Sequence, residues 1–193
     1  MTTDTIKQAL RAKAKQRRDE SVPDAAAAAR DLAGCAAQVY ALASSSAPVV
    51  SSYLAIGSEL DPTPLAAALA KRGATIALPV MAAKAAPLEF RAWAPGDPLV
   101  EREWGIREPA PDCPVVEPDL LLVPLLLVDK TGHRLGYGGG FYDRTLSRLR
   151  ALKAIVAVGI AYELQMVDAV PQEAYDEALD HVLTPSGFKP LQT

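Results

Sequence analysis

Asp119-Leu-Leu-Leu-Val-Pro-Leu-Leu-Leu-Val128 is apolar at every position after its aspartate. A strand with one wet face alternates polar and apolar residues, whereas a strand buried on both faces of a parallel sheet does not. The run therefore predicts a central strand over 120–128. Just downstream stands Arg134-Leu-Gly-Tyr-Gly-Gly-Gly-Phe-Tyr-Asp-Arg144. From Phe141 to Arg150 the spacing is helical, with Leu146 and Leu149 three apart and Arg144 and Arg148 four apart. Strand, glycine turn and helix in that order bring backbone N–H groups and a helix N-terminus onto one anion.

Outward from this unit, the pattern predicts helices over 3–20 and 23–43, the second alanine-rich with Pro23 in its first turn. A strand follows over 49–54. Asp61-Pro-Thr-Pro leads into a helix over 65–71 that Gly73 stops, and 75–78 is a short strand ended by Pro79. Leu88, Phe90 and Ala92 alternate with Glu89 and Arg91, predicting a half-buried strand over 88–93. A turn at Pro95-Gly-Asp-Pro98 precedes 99–102. Four prolines make 109–118 a loop. Further strands are expected over 155–161 and 181–183. Helices alternating with apolar strands imply an open α/β sheet, mostly parallel, covered on both faces. In such sheets ligands sit beyond the carboxyl ends of the strands, so the tips after Leu54, Val128 and Ala161 are the places to look.

At 193 residues the chain suits a single domain, 1–193. No apolar run approaches the roughly 20 residues of a membrane span. The first twenty residues are polar and carry no leader-like apolar core, so a cytoplasmic protein with no membrane partner is expected. Cys35 and Cys113 stand far apart without a Cys-x-x-Cys pair or nearby histidines, which argues against a zinc site or a disulfide framework. A net charge of −3 gives no attraction to nucleic acid. Charge is uneven, however. Lys7, Arg11, Lys13, Lys15, Arg17 and Arg18 cluster in the first helix, and acids gather over 168–180. Lys13, Lys15 and Arg17 read as a solvated face. Lys7 and Arg11, at i and i+4, can reach the same anion.

The glycine turn matches neither G-x-G-x-x-G nor G-x-x-x-x-G-K-[ST], which disfavours the two standard nucleotide folds. Gly136, Gly138, Gly139 and Gly140 permit positive φ and close approach of a polyphosphate. Taken alone they serve a plain linker equally well. Arg134 and Asp143 add chemistry a linker does not need: a guanidinium that grips phosphate oxygens and a carboxylate that can hold magnesium. Asp143 has a second reading, as a first-turn acid on the helix dipole. The two histidines, His133 and His181, sit in no nucleophile–histidine pattern and read as a turn and a strand-edge residue.

The loop RLGYGGGFYDR resembles the ATP-phosphate motif of the 5-formyltetrahydrofolate cyclo-ligases, or methenyltetrahydrofolate synthetases. Other blocks follow in family order over nearly the whole chain. Lys7-Gln-Ala-Leu-Arg11 is similar to K-x-x-L-R, and Tyr53-Leu-Ala-Ile-Gly-Ser-Glu-Leu-Asp61 to the folate-side segment. Trp104-Gly-Ile-Arg-Glu-Pro109 resembles G-I-x-E-P, and Val170-Pro-Gln-Glu-Ala-Tyr-Asp176 with Asp180 resembles V-P-x-E-x-x-D-x-x-x-D. Two positions depart from the pattern of many relatives: Tyr175 replaces a histidine and Phe141 a tyrosine.

The resemblance implies a three-layer α/β/α fold shared with sugar-phosphate isomerases and CoA transferases. It also implies ATP- and magnesium-dependent closure of 5-formyltetrahydrofolate to 5,10-methenyltetrahydrofolate. Its pattern assigns ATP to Lys7, Gln8, Ala9, Leu10 and Arg11 and to Arg134, Leu135, Gly136, Tyr137, Gly138, Gly139, Gly140, Phe141 and Tyr142. Arg134 and Tyr142 would do catalytic work, and Asp143 and Asp176 would hold magnesium. Folate would meet Ile56, Glu59, Asp61 and Trp104 together with Tyr137 to Phe141. Asp61 fits helix N-capping before Pro62 nearly as well. ATP and the folate are the expected partners, and a monomer is the working expectation.

Overall fold

The computed structural model describes residues 3–22, 24–102 and 106–192. Among the described residues the α-helices are α1 (Thr3–Ser21), α2 (Ala25–Gly34), α3 (Ala36–Ala41), α4 (Thr63–Ala70) and α5 (Phe141–Leu152). The strands are β1 (Val49–Ser51), β2 (Thr75–Val80), β3 (Glu89–Ala92), β4 (Leu99–Glu101), β5 (Arg107–Pro109) and β6 (Leu120–Pro124). The later ones are β7 (Leu127–Asp129), β8 (Arg134–Leu135), β9 (Val156–Ile160), β10 (Met166–Val167), β11 (His181–Thr184) and β12 (Gly187–Lys189).

Seven strands form the main sheet in the order β12-β11-β9-β6-β1-β2-β3. The five inner strands run parallel, and β12 and β3 close the two edges antiparallel. β6 lies at the centre because Leu120, Leu121, Leu122 and Val123 are all solvent-free, which only a strand covered on both sides allows. Successive side chains alternate faces. Leu120 and Leu122 join Val50, Ile76, Val158 and Leu183 under α2 and α4, through Leu32, Leu65 and Leu69. Leu121 and Val123 join Ala77, Ala157 and Val182 under α5, through Leu146 and Leu149. Helices on both faces of a mostly parallel sheet make the expected three-layer α/β/α arrangement. A small sheet, β10-β7-β8, and a hairpin, β4-β5, stand beside it.

The apolar run does not continue as one strand to Val128. β6 ends at Pro124, and after a short crossing β7 pairs with β8 and β10 instead. Pro124 has no N–H to donate onward, and Leu126 turns its N–H to Leu135 O at 2.8 Å, in the other sheet. The alanine-rich segment is likewise two helices. Gly34 weakens it locally, and the Cys35 N–H bonds to Leu32 O at 3.0 Å, a tightened turn that ends α2. Conversely, Pro79 does not end β2. β1 stops at Ser51, opposite Ala77, so beyond that point β2 has a partner only on its β3 side and the missing N–H costs no bond to β1.

Candidate active site

Helix α1 crosses the carboxyl end of the sheet and buries Lys7, Ala14 and Arg18. With Arg11 these positions repeat at 4-3-4 spacing, the stripe by which a helix faces a core. Here the stripe is largely cationic. It faces a cavity of about 450 Å³ lined by Lys7, Arg11, Arg134, the turn from Leu135 to Gly140, Phe141, Tyr142, Asp143 and Asp176. Pro79, Met81 and Pro124, at the carboxyl ends of β2 and β6, form its apolar floor together with Leu88.

The glycine turn is held from both sides. Arg11 Nε donates to Gly136 O at 3.0 Å and Arg144 Nη2 to Gly139 O at 2.7 Å. Gly138 has φ +95°, and a Cβ there would stand 3.3 Å from Arg11 Cζ. Gly140 caps α5 in the left-handed region at φ +63°. Helix α5 thus begins directly at the cavity with its N-terminus, where N–H groups lack intrahelical partners.

Arg134 is buried and paired with Asp143, its Nη2 donating to Oδ1 at 2.7 Å, while Nη1 donates to Glu177 O. Burial lowers the Arg134 pKa, although Asp143 opposes the shift. Lys7 is 5% exposed and bonds Asp176 Oδ2 at 2.6 Å and Glu173 Oε2 at 2.8 Å. Burial alone would lower its pKa, but those two carboxylates outweigh it and hold the ammonium above its ordinary value. Burial and the Glu59 charge push the Tyr142 phenol well up, so it is a proton donor and not a phenolate base.

A second cavity, about 460 Å³, adjoins the first and is lined by Tyr53, Ile56, Gly57, Glu59, Ile106 and Arg107 among others. Ile56, Pro79, Ile106, Pro124 and Tyr137 face both. Glu59 is 8% exposed and accepts the Ile56 N–H at 2.9 Å. Tyr53, beside it, is buried and donates to Leu60 O at 2.7 Å.

The structure brings most of the expected residues to these two adjoining cavities. Within the segment from Lys7 to Arg11, Lys7 and Arg11 line the first of these cavities and the other three line neither. Gln8 bonds Asp4, Ala9 is exposed and Leu10 packs against Ala14 and its apolar neighbours. Asp61 lines neither cavity; it stands one residue ahead of the cap position, Pro62, and accepts the Thr63 N–H at 2.9 Å in a turn leading into α4. Trp104 lies outside the described residues, as do Pro23 and Gly105. The tip after Ala161 reaches neither cavity; Gln165 there braces Leu125 O and Leu126 O instead.

Magnesium suits the carboxylates present. Asp143 uses Oδ1 for Arg134 and for the Glu177 N–H, and Asp176 uses Oδ2 for Lys7 and for the Glu173 N–H. Each keeps its other oxygen. No cluster of three or more acids or histidines suited to a metal occurs among the described residues. Magnesium does not require one, since it is commonly held by one or two carboxylates plus substrate phosphates. The first cavity sets Lys7, Arg11 and Arg134 against Asp4, Asp143, Glu173 and Asp176. A bare triphosphate would meet that slight acidic excess, and a metal complex would offset it.

The arrangement defines an α/β protein with two adjoining cavities at the carboxyl ends of parallel strands, one of them walled by a glycine turn and cations, the place where such folds bind small molecules. The chain belongs to the 5-formyltetrahydrofolate cyclo-ligase family, whose model matches residues 3–185. Among its relatives, the 5-formyltetrahydrofolate cyclo-ligase of Mycolicibacterium smegmatis is 41% identical over 144 residues, covering 70% of this chain and 73% of the relative. That of Escherichia coli K12 is 39% identical over 145 residues, covering 72% and 79%. The solved structure of Aquifex aeolicus 5,10-methenyltetrahydrofolate synthetase superposes with a TM-score of 0.76 at 27% identity, covering 97% of this chain and 94% of that one. The synthetase from Mycoplasma pneumoniae, 20% identical with a TM-score of 0.69, shares the fold.

Sequence reasoning passed over Arg18, which is 2% exposed and bonds Ser58, Leu125 and Tyr137. The 4-3-4 spacing was the available signal: a cation in phase with Lys7, Arg11 and Ala14 belongs to the inward stripe. Glu173 also went unassigned, although it shares Lys7 with Asp176.

Proposed function

We propose that this chain catalyses the ATP-dependent cyclisation of 5-formyltetrahydrofolate to 5,10-methenyltetrahydrofolate, with release of ADP and phosphate. The observation that carries the reading is the pair of cavities meeting across Tyr137, one with a glycine turn and cations, the other with a buried carboxylate. Phosphoryl donor and acceptor must lie side by side, and this wall is where they would.

The formyl group is an amide with a poorly electrophilic carbon. Transfer of the γ-phosphoryl group to the formyl oxygen converts that oxygen into a leaving group. The neighbouring folate nitrogen then attacks the carbon, and phosphate departs with the C–O bond. No protein nucleophile is required; catalysis rests on alignment, charge neutralisation and exclusion of water. The turn from Gly136 to Gly140 offers its N–H groups and close approach. Lys7 and Arg11 supply positive charge from α1, and Arg134 supplies it from beneath the turn. Tyr142, held protonated, can donate to a developing negative charge at the wall. Glu59 pairs with the N–H donors of the pterin ring. Magnesium, held by Asp143 and Asp176 through their free oxygens, would neutralise the phosphate charge.

Purified protein given magnesium-ATP and 5-formyltetrahydrofolate is expected to generate the methenyl chromophore in the near ultraviolet. Absence of that absorbance across a broad range of pH and divalent metals would overturn the reading. A monomer is part of the proposal, supported by one chain lining both cavities; sedimentation at assay concentration checks the oligomeric state.

A further inference from the structure

Arg18 is a buried cation without a carboxylate within 4 Å among the described residues. A guanidinium taken out of water is costly unless its donors are met. It meets them on three separate segments. Nε donates to Ser58 Oγ at 2.9 Å, Nη1 to the Tyr137 phenol oxygen at 2.9 Å and, more weakly, to Leu125 O at 3.5 Å. Its charge also sits 5.9 Å from the centre of the Tyr137 ring. Ser58 precedes Glu59 in the chain, Leu125 follows the cavity residue Pro124, and Tyr137 is the wall shared by the two cavities.

Direction follows from chemistry. Arginine has no acceptor, so the Tyr137 oxygen must receive the Arg18 hydrogen. The phenol proton is left to seek an acceptor elsewhere, and Glu59 faces it: partial burial together with the Glu59 charge and hydrogen bond raises the phenol pKa despite Arg18. Glu59 is tied at its other side by the Ile56 N–H at 2.9 Å. Tyr137 and Glu59 line the same cavity, so the phenol stands between the Arg18 guanidinium on α1, to which it is bonded, and the carboxylate of the second cavity.

We propose that Arg18 is a positioning residue of the folate site, which turns the Tyr137 phenol proton toward Glu59 and so fixes the carboxylate for the N–H donors of the pterin. The proposal rests on the folate reading given above. An apolar residue at this position would keep α1 packed yet leave the phenol free to rotate, and its proton would no longer be directed toward Glu59.

Steady-state kinetics of Arg18→Met, Tyr137→Phe and the double variant test this, with folate affinity measured by calorimetry in the absence of ATP. Each single variant is expected to raise KM and Kd for the folate about tenfold, the worth of one charge-assisted contact. KM for ATP should move by less than about twofold, and the double variant should be no worse than the weaker single one. Should Arg18→Met fail to fold, Tyr137→Phe decides alone, since it removes the proton and leaves the Ser58 and Leu125 bonds in place. Unchanged folate affinity in Tyr137→Phe, equal shifts for both substrates, or effects that multiply in the double variant would overturn the proposal. A wild-type protein that turns over while the variants show no folate defect sinks this inference alone. A wild type that binds the folate without turning it over sinks the reaction and leaves the positioning role to the calorimetric constants, and one that does neither sinks both.

Discussion

Gly138 shows how closely single residues are fitted at this site. Its φ of +95° is a conformation side chains rarely adopt, and the space a Cβ would take is already bounded by the Arg11 guanidinium at 3.3 Å. Gly138→Ala therefore combines backbone strain of about 1–2 kcal/mol with displacement of a cation from the turn. Gly138 lines the first cavity and not the second, so we expect KM for ATP to rise about tenfold or more in that variant while calorimetric folate affinity stays within about twofold. An unchanged KM for ATP would remove the turn from the nucleotide site. At this scale the sequence was readable where a residue type is chemically restrictive, as with the glycines, Lys7 and Arg11. It was silent where long-range contacts decide. The burial of Arg18 depends on Tyr137, 119 positions later. The pairing of Arg134 with Asp143 depends on how the turn folds back on α5.

Among the elements, the β7–β8 hairpin that delivers Arg134 is organised by one carboxylate. Asp129 is 3% exposed and accepts from the Thr131 N–H, Thr131 Oγ1, the His133 N–H and the Val170 N–H at 2.7–3.1 Å. Burial alone would raise its pKa, but these four donors outweigh it and the net shift is below the ordinary 3.8. A depressed folded pKa means the stabilisation is complete above the unfolded value and is lost as pH falls through the folded one. Asp129→Asn should cost about 2 kcal/mol at neutral pH. That deficit relative to wild type should shrink below about pH 4, as read by urea unfolding at several pH values. A deficit that did not change with pH would place the stabilisation in shape and not in charge. The same hairpin shows where pattern reading stops. The apolar run 120–128 has the right composition for one buried strand, but composition does not say that Leu126 would find Leu135 in a different sheet. Pro124 was the visible cue, whereas Pro79 carried the same cue and proved harmless because β1 is short.

For the molecule as a whole, a ligand that binds the folded chain and not the unfolded one adds directly to stability. Magnesium-ATP at about one hundred times its Kd should add about 2.7 kcal/mol, a rise of roughly 5–10 °C in Tm for a chain of this size. A Tm indifferent to magnesium-ATP would contradict the proposed nucleotide site. The three-layer plan was legible because alternating helices and unbroken apolar strands admit few packings. The division of the site into two cavities was not, since it depends on where Tyr137 stands between them. Helix α1 carries a consequence of its own. Its Lys7, Arg11 and Arg18 meet partners 166 and 169, 125, and 40 to 119 positions further along the chain. Such separations slow folding, and during synthesis the chain emerges from its amino end. α1 must therefore wait, its cationic stripe unmatched, until nearly the whole chain has followed it. On the proposed reading, a partly made molecule has no complete place for a nucleotide, and competence to use ATP would arrive together with the last acidic segment.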